Sequence, residues 1–269
     1  MAMARTFGIL NVTRDSFSDG GRWLDPASAL AHGQRLLAAG ADVIDIGAES
    51  THPDAEQVPA GEELRRLQPV VQALLAAGAQ LSIDTSKPLV MREVVAMGVH
   101  WLNDVDGFRH PESLAAAAAA SPQVRFVVMF QRGAGPRAAR AEAGIEDLLA
   151  AIADFAVERT RAFAAVGIDR SRLVFDPGMG FFLGRSAAPS LHVLRHLATV
   201  RAAVGELLVS VSRKSFVGEL TGQPAAERGP GSLAAELWAA RAGADWIRTH
   251  DVGALRAALA VEQAIAASP

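Results

Sequence analysis

Six times in this chain a segment with helical spacing stops at a glycine (Gly40, Gly78, Gly98, Gly167, Gly205 and Gly243), a short apolar run follows, and the run ends on a polar residue. Glycine just past a helix tolerates the left-handed turn that ends it, so each repeat reads as a helix, a tight turn and a strand. The apolar runs lie at 7–12, 43–46, 81–83, 101–102, 124–130, 173–175, 207–211 and 246–247. They are short and mostly unalternating, as strands buried on both faces of a parallel sheet are. Helical spacing fills 28–39, 62–77, 88–97, 145–166, 191–204 and 231–242, and the alanine run at 114–120 adds a helix preference without chemistry. Eight strands alternating with helices predict an α/β fold, a (β/α)8 TIM barrel spanning 1–269 as one domain. An open doubly wound sheet is the alternative pattern.

Composition agrees with a large buried core. Of 269 residues, 50% are hydrophobic and 20% charged, with a net charge of -3. The basic residues face acidic ones along helix-like segments, so no nucleic-acid partner is expected. With no cysteine, disulfides, thiolate metal sites and a cysteine nucleophile are excluded. The first residues lack the apolar core of a signal peptide, and no segment is long and apolar enough to span a bilayer, so a cytoplasmic protein without a membrane partner is expected.

The residues that close the runs are Asn11, Asp45 with Glu49, Asp84, Asn103, Gln131, Asp176, Lys214, and Arg248 with His250. In a barrel these ends converge on one mouth, where active sites are built. Taken alone, Asp84 ahead of Pro88 reads equally well as a helix cap, and His250 as a structural histidine. Two long connections, 13–26 and 48–61, mix hydroxyls, carboxylates and glycine, a composition suited to phosphate or metal contacts and to a lid.

Seven blocks in order then resemble one family. The runs from Phe7 to Gly21 (FGILNVTRDSFSDGG) and from Gly47 to Ala55 (GAESTHPDA) resemble the two leading signatures of dihydropteroate synthases. Ser82-Ile-Asp-Thr-Ser-Lys-Pro, Leu102-Asn-Asp-Val, Asp176-Pro-Gly-Met-Gly-Phe, Ser212-Arg-Lys-Ser-Phe-Val-Gly and Ile247-Arg-Thr-His-Asp-Val resemble later blocks. The resemblance implies a pterin-binding barrel that joins 6-hydroxymethyl-7,8-dihydropterin diphosphate to 4-aminobenzoate, releases diphosphate, uses Mg2+ and forms a homodimer. Under it, Asp176 accepts two parallel hydrogen bonds from the pterin edge, Asp84 and Asn103 meet other ring nitrogens, and Lys214 donates to the ring carbonyl. Met129, Thr51 and Ser212 complete the substrate contacts. Arg248 and His250, two residues apart and so on one side of a strand, clamp phosphate with His52. Asn11 gives an oxygen to Mg2+. Lys214, Arg248, His250 and Asp84 are the expected catalytic set.

The chain also departs from the family. Arg14, His52 and Asp54 stand where Pro, Arg and Gly are usual, and Phe130 where many members have His. The block after Asp176 continues Gly180-Phe-Phe-Leu-Gly-Arg, about two residues longer than usual, which resembles the sulfonamide-resistant Sul-type branch. There an added aromatic, here Phe181 or Phe182, is expected to narrow the aminobenzoate pocket. The competing readings are an inactive pterin-binding paralogue and a pterin-dependent methyltransferase barrel.

Overall fold

The computed structural model describes residues 3–13, 25–52, 55–133, 135, 137–138 and 145–268. Arg14, Asp54 and most of the 13–26 and 133–144 connections lie outside them.

Strands β1 (Arg5–Asn11), β2 (Val43–Gly47), β3 (Leu81–Asp84), β4 (Trp101–Asp104), β5 (Arg125–Met129), β6 (Leu173–Asp176), β7 (Leu208–Val209) and β8 (Trp246–Thr249) alternate with helices. Every strand pair is parallel, in the order β6-β5-β4-β3-β2-β1-β8-β7. A parallel bridge between Phe175 and Leu207 brings the two edges together, so the sheet rolls into a nearly closed barrel. The outer ring contains α1 (Pro26–Ala38), α2 (Ala60–Ala76), α3 (Pro88–Ala96), α4 (Pro111–Ala118), α5 (Leu148–Ala165), α6 (Ala188–Arg195), α7 (Leu197–Val204), α8 (Ser215–Thr221), α9 (Gly229–Arg241) and α10 (Val252–Ala267). All six helix-ending glycines have φ between 78 and 98°, the left-handed region that a side chain resists.

The expected helix at 191–204 is two helices. His196 leaves helical geometry at φ -106°, and the indole N–H of Trp238 on α9 donates to the carbonyl of Leu194 at 2.9 Å. A tertiary donor thereby takes a carbonyl at the end of α6, which the local apolar spacing cannot register. Helices α8 and α10 lie where no helix is expected from the spacing, and the run at 207–211 keeps only two ladder residues.

Alternation along the strands sorts the barrel interior into layers. The lower layer is one cluster of Phe7, Val43, Trp101, Val127, Val174, Leu208 and Trp246. Phe7 meets both indoles edge-on at 5.2 and 5.1 Å, and the indoles meet each other at 5.1 Å. Arg5 and Arg125 lie over Trp246 and Trp101, and Glu206 binds both guanidinium groups and the Trp246 N–H. These rings close the barrel floor. The opposite strand faces carry Leu10, Ile44, Ile46, Ile83, Leu102 and Val128 into the main core beneath the helices.

Candidate active site

Two residues beyond each floor residue, the chain presents Ile9, Asp45, Asn103, Met129, Asp176, Ser210 and Arg248. A period of two thus converts an apolar floor into a mostly polar second layer. The next step up brings Asn11, Val105, Ser212 and His250. The sequence reading of a polar ring at the strand ends therefore corresponds to two stacked layers.

Charge in the second layer centres on Arg248. Its guanidinium binds Asp45, which is fully buried, and donates to Asp84 Oδ2 at 2.8 Å. Asn103 Nδ2 donates to the same Asp45 oxygen at 3.3 Å. Burial opposes charge on Arg248, but Asp45 and Asp84 together outweigh it and hold the group above its ordinary range. Burial raises Asp84, with Arg248 opposing. Asp84 is therefore an ion-pair partner. The capping reading fails, since α3 begins at Pro88 with Lys87 at its N-cap position and no side-chain cap, and the Lys87 N–H is taken by Thr85. Asp45, which the sequence reading noticed at a strand end but gave no role, joins three strands. Its signal was its position two residues after Val43.

Asp176 accepts the Gly178 N–H at 2.8 Å. Burial pushes it up to about 6, against that hydrogen bond and the nearby Lys214 and Arg248. Lys214 is pushed down to about 8 by burial and then by Arg248, with Asp176 and Asp84 opposing. Its ammonium sits 5.0 Å over the Phe182 ring. Asn103 and Asp104 diverge: Asn103 faces the barrel interior, while Asp104 turns away and accepts the Asp106 and Phe108 N–H groups at 2.9 Å.

Two connected spaces open above this layer. A narrow slot of about 20 Å³ is bordered by Asp84, Asn103, Met129, Asp176, Lys214 and Arg248, with Thr51, Phe182 and Ser210 also on its wall. A wider cavity of about 780 Å³ shares Thr51, Asp84, Phe182, Lys214 and Arg248 with the slot and adds Asn11, His52, Phe181, Ser212 and His250. All thirteen site residues expected from the sequence border one space or both. Gln131 does not. It is two residues beyond β5 and donates to Asp106 at 3.1 Å and to the Gly135 carbonyl, so it braces a loop.

His250 is tied down by Ser212, whose hydroxyl is 3.0 Å from Nδ1 and accepts the His250 backbone N–H at 3.2 Å. Burial drives His250 well below its ordinary range, and Arg213, Arg248 and Lys214 add to the effect. Three cations that the sequence reading passed over, Arg185, Arg213 and Arg228, stand on the wall of the wide cavity. Arg228 donates to the carbonyls of Arg213 at 3.0 Å, Lys214 at 3.3 Å and Gln223 at 2.9 Å, which holds the Lys214 turn. Glu49 is ion-paired with Lys87 and, at 3.4 Å, with Arg137.

The two adjacent rings share one apolar cluster but differ in burial. Phe182 is buried against Val105, Met129 and Ala138. Phe181 is half-buried in the wide cavity, with its ring edge-on to His52 at 5.7 Å.

The fold and site define a parallel barrel with a narrow polar slot that opens into a cation-lined cavity at the strand C-termini. Residues 7–250 match the family of pterin-binding enzymes. Dihydropteroate synthase type-2 of Escherichia coli is 45% identical over 96% of this chain and 95% of its own length. Dihydropteroate synthase type-3 of Escherichia coli is 40% identical over 98% and 100%. The crystal structure of Xanthomonas albilineans dihydropteroate synthase with 4-aminobenzoic acid superimposes with a TM-score of 0.89 at 44% identity, covering 99% of this chain and 94% of that one. The chain belongs to the pterin-binding enzyme family, among the dihydropteroate synthases.

Proposed function

We infer that this protein is a transferase of folate biosynthesis that condenses 6-hydroxymethyl-7,8-dihydropterin diphosphate with 4-aminobenzoate to give 7,8-dihydropteroate and diphosphate. The observation that carries this reading is the slot itself, where an acceptor (Asp176), an amide (Asn103) and donors (Lys214, Arg248) line a narrow gap beside a cationic cavity. A pterin offers a flat edge of ring N–H and amino groups, and a carboxylate accepts two parallel hydrogen bonds from such an edge. Asp176 anchors it, Asn103 and Asp84 meet the remaining ring nitrogens, and Lys214 donates to the ring carbonyl. Met129 and Phe182 supply apolar walls.

The diphosphate then projects into the wide cavity toward Arg248, His250 and His52. Asn11 would hold Mg2+, and the fit is reasonable: Mg2+ takes oxygen ligands and is commonly held by one or two side chains plus phosphate and water. Among the described residues no group of three His, Cys, Asp or Glu side chains could hold a metal alone, so a neutral amide oxygen suits an ion that arrives with the diphosphate. When bound, Mg2+ neutralises charge on the leaving group. The carbon–oxygen bond breaks with its electron pair passing to the diphosphate. Arg248 and His250 stabilise the developing anion, and Asp84 and Asp176 stabilise the electron-poor methylene carbon. The aniline nitrogen of 4-aminobenzoate, neutral at pH 7, attacks that carbon, and its proton leaves to solvent. Thr51 and Ser212 position the second substrate beside Lys214.

Purified protein supplied with both substrates and Mg2+ is expected to release diphosphate stoichiometrically with dihydropteroate. Asp176→Asn is expected to lower kcat/KM by at least about a hundredfold through loss of the charged acceptor. Unchanged turnover would remove Asp176 as anchor. Pterin diphosphate binding without product would instead identify the inactive paralogue.

The finer reading is a sulfonamide-insensitive enzyme. Phe181 stands beside His52 at the entrance where the aminobenzoate arrives, and one ring there excludes a bulkier analogue by about 1–3 kcal/mol, roughly 10- to 200-fold. Phe181→Ala is expected to lower the Ki of a sulfonamide with little change in the KM for 4-aminobenzoate. Equal sulfonamide inhibition of wild type and variant would sink this assignment and leave the reaction intact. A homodimer through α6 and α9 is supported by Leu191 and Trp238, which are 41% and 54% exposed. No helix among the described residues is long and apolar enough to cross a membrane, which supports a cytoplasmic location.

A further inference from the structure

Ser210 is 4% exposed, and its Oγ has no hydrogen-bond partner among the described residues. Buried hydroxyls are nearly always paired, and an orphan in a polar layer calls for an explanation. Asp45 Oδ1, Ser82 Oγ and Thr13 Oγ1 are also buried without partners, yet Asp45 and Ser82 border neither space and Thr13 borders the wide cavity but not the slot. Ser210 borders both the slot and the wide cavity. It occupies the same interior layer as Asn103, Asp176 and Arg248, two residues past Leu208 of the floor.

We propose that Ser210 is a further substrate-binding residue, whose hydroxyl hydrogen-bonds a polar atom of the bicyclic heterocycle in the slot and so helps to select it. This rests on the pterin reading above. The chemistry complements its neighbours: an ionised Asp176 only accepts and Lys214 only donates, whereas a hydroxyl does either and turns to suit. A nitrogen heterocycle whose edge alternates donors and acceptors needs such a group where the fixed partners end. A ligand that leaves the hydroxyl unpaired is discriminated against, because its burial then costs a hydrogen bond without return.

The test uses 6-hydroxymethylpterin binding by calorimetry, together with thermal melts, for the wild type, Ser210→Ala and Ser210→Gly. Removing an unpaired buried hydroxyl is near neutral or stabilising, so apo Ser210→Ala is expected to melt at or above the wild-type temperature. Both variants are expected to bind the pterin about five- to tenfold more weakly, with the KM for 4-aminobenzoate unchanged. Stability that holds while affinity falls is a pattern that a purely structural serine does not produce. Wild-type affinity in either variant would overturn the proposal. If only Ser210→Ala were weak, crowding by the methyl group would be the cause, and the proposal would fall equally. A wild type that binds no pterin would remove the functional reading and this contact together, whereas equal binding by all three proteins would remove this contact alone.

Discussion

Burial draws Asp176 and Lys214 toward each other on the pH scale, raising the acid to about 6 and lowering the base to about 8. The proposed pterin recognition uses the ionised acid and the protonated base. With Asp84 raised to about 7, catalysis is expected to rise as pH increases through about 6 to 7 and to fall as it increases through about 8. A profile of kcat/KM for the pterin diphosphate from pH 5 to 9 checks this. Lys214→Arg is expected to remove the alkaline limb, since guanidinium does not titrate in that range. A profile in Lys214→Arg that keeps its alkaline limb would show that another group sets it.

At the scale of the element, the turn after β6 is held by backbone geometry that tolerates no side chain. Gly178 has φ +70°, and a Cβ there would lie 2.3 Å from the Phe130 carbonyl oxygen. The same residue donates the N–H that orients Asp176. Gly178→Ala is expected to cost more than about 4 kcal/mol, among the severe single substitutions, and to weaken pterin binding in whatever folded protein remains. Gly78 has a similar φ of +78° but open space around it, so Gly78→Ala is expected to cost only about 1–2 kcal/mol, the left-handed penalty alone. Urea denaturation of the two variants separates backbone strain from steric collision.

Across the whole molecule, four buried carboxyls among the described residues hold protons that an unfolded chain would release. Burial raises Asp84, Asp104 and Glu236 to about 7 and Asp176 to about 6, against ordinary values of 3.8 for the aspartates and 4.5 for the glutamate. Between about pH 4 and pH 7 the folded state binds more protons at these sites than the unfolded state, so their contribution to stability falls as pH rises through that window and is level above it. Denaturation midpoints at pH 5 and 7.5 check the sign, and Glu236→Gln is expected to flatten the difference. The proposed homodimer belongs to the same scale. Trp238→Glu places a charge on the exposed α6–α9 face and is expected to shift sedimentation to the monomer, whereas an unchanged dimer would place the interface elsewhere.

Periodicity was legible because covalent geometry enforces it. Alternate side chains of a strand point to opposite faces, so the polar residues closing the apolar runs had to meet at one end of a parallel barrel, and the glycines past the helices had to be left-handed turns. Periodicity thus reaches the barrel, the mouth and Asn11, Asp84, Asn103, Asp176, Lys214, Arg248 and His250 without coordinates, whereas Thr51, His52, Met129, Phe181, Phe182 and Ser212 enter only with the family resemblance. Partnership was decided only by the tertiary structure, because closure of the sheet brings together residues far apart in the chain. Arg248 meets Asp84 across 164 positions, and the same closure places Asp45 at the centre of the charge network and Ser210 in the slot wall. The helix break at His196 depends on a tryptophan 42 residues later, and the deeper burial of Phe182 than of Phe181 depends on Met129, Val105 and His52 from other parts of the barrel. Local spacing carries direction along the chain. Burial, ion pairing and the unfilled hydroxyl of Ser210 arise only when eight strands share one interior.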